Sequence, residues 1–197
     1  MKKFLAAALV LFAALTVSAG SYGLADSMYI QPNIGIGAAF DEGNQFGIAP
    51  GVDIDFHVWK TGGPAAGDMF AGIDFQFAYW VPTADTGNTK IHVMRMPIQG
   101  NFSYEFSTKG KPGAGPLTAA GPWYSMGVGL NFMAASGDGA SALNDVMDHF
   151  EASFAWGIGG ILTFNDKWTL KVGFGGDAGD HWDAAYFMAE AGMRFGF

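Results

Sequence analysis

From Ala185 to Phe197 apolar residues recur at every second position. Phe187, Ala189, Ala191, Met193, Phe195 and Phe197 form one set; Tyr186, Met188, Glu190, Gly192, Arg194 and Gly196 form the other, which holds both charges. A period of two is that of a β-strand with two unlike faces. The pattern runs to a terminal aromatic residue. On a soluble edge strand that arrangement invites aggregation, whereas a strand closing a barrel in lipid has no free edge.

The same alternation recurs upstream in Met28 to Phe40, Phe46 to Trp59, Met69 to Val81, Ile91 to Phe106, Trp123 to Ala134, His149 to Phe164 and Trp168 to Asp177. Asn165-Asp166-Lys167 supplies a tight turn between the last two of these. No stretch keeps a helical period, although Ala140 to Met147 has room for one helical turn in a loop. The pattern predicts an all-β fold: an eight-stranded antiparallel transmembrane up-and-down β-barrel.

Charge placement decides which face meets lipid. The segments carry Asp53, Asp55, Asp74, Arg95, Glu105, Glu151, Lys171, Asp177, Glu190 and Arg194, all on the less apolar face. A charge on a lipid face at the bilayer midplane costs about 2–4 kcal/mol, so lipid selects for this distribution. A soluble barrel with the apolar face inside would expose Gly, Ala, Asn and Ser and very few bases, unlike a usual solvent surface. Small residues suit the narrow interior of an eight-stranded barrel. Outward aromatics collect at two levels: Phe56, Tyr104, Phe106, Tyr124, Phe164, Trp168 and Phe197 at one, Phe40, Phe46, Tyr79, Phe132, Phe150 and Phe187 at the other. Membrane interfaces favour two such belts.

The chain has 197 residues, enough for one domain. Residues 1–19 read as a signal peptide, with Lys2 and Lys3 before the apolar run Phe4 to Leu15 and a small-residue site at Val17-Ser18-Ala19; an alternative end lies at Ala25. Residues 20–197 are then the barrel domain. The apolar run falls short of the roughly 20 residues of a spanning helix. The formal charge of −8 becomes more negative once the two lysines are removed, which argues against nucleic acid as a partner. Without cysteine there is no disulfide and no thiolate chemistry, and no cofactor is expected.

The export signal, the even strand count and the terminal Met193-Arg194-Phe195-Gly196-Phe197 together resemble the small eight-stranded outer-membrane barrels of the OmpA, OmpX and OmpW kind. The resemblance implies a cell outer membrane location, outer-membrane lipid as surroundings, and a monomer. It also implies that the outer-membrane assembly machinery reads Met193, Phe195 and Phe197. The N-terminus is then expected in the periplasm, with Lys60 to Asp68 and Ser107 to Pro122 as unusually long periplasmic connections and no cell-wall-binding domain after the barrel.

Several groups are candidates for chemistry. Asp53, Asp55, Asp74 and Arg95 on one wall face Lys171, Glu190 and Arg194 on the other, which predicts a lumen charge network. With Glu105, Glu151 and Asp177 the lumen face holds seven acids against three bases, so complete pairing in a dry lumen is impossible unless some carboxylates are protonated. Asp53-x-Asp55-x-His57 has the look of a metal trio, but alternate residues of one strand stand about 6.6–6.8 Å apart, too far to converge on one ion. His149-x-Glu151-x-Ser153 offers the groups of a lipid hydrolase or acyltransferase, with the same spacing objection. His92 and His181 read as isolated, solvent-facing side chains near loops. Acidic outer connections (Asp41, Glu42, Asp85, Asp138, Asp145, Asp148, Asp180 and Asp183 against Lys90) read as solvated loops or as sites sharing divalent cations with anionic lipid. The preferred expectation is a non-enzymatic structural or envelope-interaction barrel with a filled, hydrated lumen. The alternatives are OmpW-like passage of small molecules, helped by a wall gap at Pro32, Pro50 or Pro97, and a lipid A deacylase or acyltransferase.

Overall fold

The computed structural model describes residues 28–40, 46–62, 66–81, 89–138, 140–145, 150–179 and 183–197. The signal region, the connection residues Asp41, Glu42, Asp85 and Asp148, and His149 and His181 lie outside them. The strands are β1 (Met28–Ala39), β2 (Phe46–Thr61), β3 (Gly67–Gln76), β4 (Ala78–Val81), β5 (Thr89–Ser107), β6 (Leu117–Gly137), β7 (Phe150–Phe164), β8 (Trp168–Ala178), β9 (Asp183–Met193) and β10 (Phe195–Gly196). One short helix, α1 (Ala140–Asn144), follows β6, in the stretch where one helical turn was expected.

All pairings are antiparallel, and β1 pairs both with β2 and with β9 and β10, so the sheet closes. β4 continues β3 past Phe77, whose amide bonds to Pro50 O at 2.9 Å. β10 continues β9 past Arg194, whose amide bonds to Lys167 O at 2.7 Å. The ten strand pieces therefore form eight walls of a closed antiparallel barrel. Among the described residues no helix is long and apolar enough to cross a membrane; the strands cross instead.

The two faces separate as the alternation requires. The ten charges that the alternation places inward, from Asp53 to Arg194, are all buried in the lumen, while Lys60 and Lys90 near strand ends are exposed. The outer wall carries Ile34, Ile36, Ile48, Phe75, Met94, Met96, Ile98, Phe154, Ile158 and Phe174, all exposed. A fold that buries Asp53 completely while leaving Ile158 57% exposed is inside-out by the standard of water and correct for lipid. Belt residues Phe40, Phe46, Tyr79, Phe132, Phe150 and Phe187 are exposed at the loop end; Phe106, Tyr124, Trp168 and Phe197 are exposed at the end bearing the C-terminus.

Glycine shapes the interior. Trp80 lies opposite Gly47, and Tyr186 opposite Gly175. A Cβ on Gly47 would stand 2.9 Å from the Trp80 ring, and one on Gly175 would stand 2.6 Å from the Tyr186 ring. The large inward rings thus occupy space that glycine leaves on the neighbouring wall.

The prolines lie beside the two breaks in the wall, at Phe77 and Arg194. On one side Pro32 pairs with Val52, Pro50 with Ile34 and Pro97 with Gly129; on the other side the ladder is interrupted opposite each, between Ile30 and Asn33, between Ile48 and Gly51 and between Arg95 and Ile98. The register shifts fall elsewhere, between His57 and Trp59 and between Leu117 and Ala119. The connection expected over Ser107 to Pro122 is shorter: β6 already begins at Leu117. Its remaining turns are tied by Lys111 N to Thr108 O and Leu117 N to Ala114 O, at 3.1 and 3.0 Å. They dock on the β7–β8 turn, where Asn165 N bonds to Pro116 O at 2.9 Å and Asp166 N to Thr118 Oγ1 at 3.0 Å.

Candidate functional site

The lumen is built as tiers of charge. In the middle tier Lys171 (β8) reaches Asp53 (β2), Nζ to Oδ2 2.5 Å, and Glu190 (β9), 3.2 Å. Gln31 donates to the same Asp53 oxygen at 2.8 Å. Gln76 donates to Asp74 at 3.0 Å and to Glu190 at 2.7 Å, bridging opposite walls. Asp55 is buried one inward step from Asp53. Strand alternation puts all these groups inside; the barrel's closure brings residues more than a hundred positions apart within hydrogen-bond reach.

Toward the loop end, Arg95 pairs with Asp177 at 2.5 Å and donates to the Tyr186 hydroxyl, with its guanidinium 5.1 Å from that ring's centroid. Ser153 donates to Asp177 at 3.0 Å and accepts from Asn131 at 2.9 Å. Above this tier Ala39, Trp80, Val93, Ala184 and Tyr186 form a buried apolar cluster flanked by Met133 and Met188. The Trp80 and Tyr186 rings meet with centroids 5.1 Å apart and planes tilted by 56°.

Toward the terminal end, Arg194 forks onto Glu105, Nη2 to Oε1 2.8 Å and Nη1 to Oε2 3.4 Å. Thr163 donates to Glu105 at 2.6 Å. The guanidinium lies 4.5 Å from the Phe70 centroid and 5.6 Å from that of Tyr29. Below it a cavity of about 420 Å³ opens at the barrel end, lined among others by His57, Lys60, Asp68 and Lys109. His57 pairs with Asp68 at 2.8 Å, and Lys109 with Asp166 at 2.6 Å. Lys109 holds the Asp166 carboxyl below its ordinary value, with help from Thr118.

The structure therefore brings Asp53, Asp74, Lys171 and Glu190 into one network and places Arg95 and Arg194 in two others. Asp53 and His57 turn to different partners, and among the described residues no group of acids and histidines is arranged to hold a metal ion. Ser153 and Glu151 face the lumen, not lipid. Met193, Phe195 and Phe197 close the barrel: Met193 pairs with Trp168, Phe195 with Ile30, and Phe197 N bonds to Met28 O at 2.9 Å.

His92 corrects its expectation. It is not isolated: Nδ1 is 2.7 Å from the Tyr79 hydroxyl and Nε2 is 2.7 Å from Ser136 Oγ. Sequence reading missed this chain because its members sit on three strands, two residues out of register with one another. It also passed over the lumen roles of Trp80, Tyr186, Phe70 and Tyr29. The available signal was their place on the same alternation set as the charges.

A closed eight-walled barrel with an apolar outside and a charged inside defines a class, the small transmembrane β-barrels. Within it the fold is that of the OmpA/OmpX-like eight-stranded barrels. The structure is similar to Ail, the attachment invasion locus protein of Yersinia pestis (12% identity, TM-score 0.51, covering 86% of this chain and 99% of that one). It is similar to Neisserial surface protein A (15% identity, TM-score 0.52, covering 86% and 97%). The outer membrane enzyme PagL also aligns (14% identity, TM-score 0.48, covering 82% and 97%). No family model and no curated protein sequence matches. At these identities the likeness is one of fold.

Proposed function

We propose that the protein is an integral outer-membrane barrel with a structural or envelope-interaction role and a sealed lumen, acting as a monomer. The observation that carries this reading is the stacking of the apolar Trp80–Tyr186 cluster on the Arg95–Asp177 pair, with two further ion-paired tiers beneath. An ion entering from the loop end meets an apolar layer first. Beyond it, passage requires breaking buried, hydrogen-bonded ion pairs, which are strongly destabilised when one partner is lost. The charge-free outer wall between two aromatic belts supports lipid as the surroundings. The outer-membrane assembly machinery is the partner suggested by the outward Phe195 and Phe197 on the closing strand.

Single-channel current from purified, refolded protein in a planar bilayer tests the reading. A silent bilayer, with heat-sensitive gel migration showing a folded barrel, is expected. Steady ion-selective steps altered by Asp53→Asn would replace it with a pore for small solutes.

A further inference from the structure

The diagonal Tyr79–His92–Ser136 chain lies outside the lumen. Alternation places all three side chains on the outward face at the loop-end belt: Tyr79 on β4, His92 on β5 and Ser136 on β6. Tyr79 is opposite Met94 and His92 is opposite Ala134, so each hydrogen bond spans one diagonal step between adjacent strands. Diagonal neighbours on one face stand about 7–8 Å apart at the backbone, within reach of long side chains. Ser136 and Tyr79 are exposed and His92 is half-buried.

We propose that Ser136 and His92 form a nucleophile–base pair that cleaves carboxylic esters of lipids packed against the barrel, with Tyr79 as the positioning residue. A hydroxyl within hydrogen-bond reach of a base that a third group orients is the geometry of an activated nucleophile. With its proton on Nδ1 and donated to Tyr79, His92 presents Nε2 to accept the Ser136 proton. Oγ attacks the ester carbonyl; the acyl carbon–alkoxy oxygen bond breaks, and His92 returns the proton to the departing alkoxide. Water, deprotonated by the same Nε2, then releases the acid from Oγ and restores the hydroxyl.

The surroundings fit that substrate class. In the same belt lie Phe132 and Phe150, with their rings 5.3 Å apart, and beside them Met94, all three exposed and apolar. They offer a bed for an acyl chain whose ester lies at the polar boundary. Lys90 is the register partner of Ser136 and exposed, a cation beside the carbonyl oxygen that becomes negative during attack. The strand under Ser136 is fixed: Asn144 on α1 accepts from Ala135 N at 2.8 Å and donates to Ala135 O at 3.1 Å. A neutral phenol stabilises an imidazolium less than a carboxylate does, so turnover is slow and covalent labelling is the sensitive readout.

The inference rests on the membrane placement of the barrel and not on a sealed lumen. The test treats the refolded full barrel with a fluorophosphonate probe, and with p-nitrophenyl esters of rising chain length, in phosphatidylethanolamine vesicles. The expected result is modification mapped to Ser136, absent in Ser136→Ala and slowed about 10²-fold or more in His92→Ala. Tyr79→Phe is expected to lower kcat for the ester while leaving KM unchanged. Absence of Ser136 modification in a barrel shown to be folded by heat-sensitive migration overturns the site, as does equal ester cleavage by Ser136→Ala. Vesicle flotation of the same sample reports membrane placement separately, so a barrel that floats and stays unlabelled sinks this inference alone.

Discussion

Lys171 Nζ lies 2.5 Å from Asp53 Oδ2, although 118 residues separate them in sequence. Both side chains are buried, and the lysine's charge also faces Glu190, Asp74 and Asp55. Removing it leaves that carboxylate tier without its central cation. Lys171→Met is therefore expected to destabilise the barrel by about 3–5 kcal/mol. Asp53→Asn, which keeps a hydrogen-bonding group and removes one negative charge, is expected to cost less. Urea midpoints for reversible folding into lipid vesicles give the comparison; equal midpoints for Lys171→Met and the parent would show that the tier is not held by this pair.

Trp80 and Gly47 are coupled by shape. The ring lies where a side chain on Gly47 would begin, so Gly47→Val is expected to cost about 1–3 kcal/mol by overpacking. Trp80→Ala opens a cavity and is expected to cost about 3–5 kcal/mol. In the double variant the valine fills part of the vacated space, so its loss should fall short of the sum by about 0.5 kcal/mol or more. A double-mutant cycle on folding free energy measures this directly, and strict additivity would mean that the two residues do not meet.

Ile158 stands on the outer wall beyond reach of the lumen groups. Ile158→Lys places a charge among acyl chains and should cost about 2–4 kcal/mol of folding into a bilayer. Ile161, on the same strand but facing inward and buried, provides a control: Ile161→Val removes one methylene and should cost about 0.5–1.5 kcal/mol. Insertion of Ile158→Lys with unchanged efficiency would contradict the assignment of faces.

The parity of the strands is what made the architecture legible. Two-residue alternation assigns each side chain to lipid or lumen, and the ten charges it places inward, from Asp53 to Arg194, are all buried there. Which charge meets which is another matter. Lys171 and Asp53 meet across the barrel because of strand tilt and closure, neither of which a linear pattern encodes. The His92 chain was hidden for a related reason: its partners are diagonal, and register must be known before a diagonal can be drawn. The breaks at Phe77 and Arg194 left no mark in the alternation, since parity is preserved across them. Pro32, Pro50 and Pro97 each lack an amide donor, and the ladder is interrupted opposite each of them on one side while the pairing on the other side runs on.

The β7–β8 turn carries the pH-dependent prediction. Asn165 and Asp166 both have positive φ, 51° and 57°, and Lys167 N bonds to Phe164 O at 3.1 Å, in a three-residue loop between the paired Phe164 and Trp168. The Asp166 carboxylate hydrogen-bonds to Lys109, 2.6 Å away, which holds its pKa below the ordinary 3.8. A carboxyl depressed in the folded state contributes stability that is fully present above its unfolded value and fades as pH falls through the folded one. Both side chains are largely exposed, so solvent screening limits the contribution to about 1 kcal/mol at most. Lys109→Ala should therefore raise the Asp166 pKa toward 3.8. It should lower stability slightly at neutral pH and leave stability unchanged well below that pKa, where the carboxyl is protonated in every state. Carboxyl-carbon NMR titration of Asp166, with denaturant midpoints at the two pH extremes, checks both halves; a midpoint loss that persists in acid would assign the effect to loop packing and not to the ion pair.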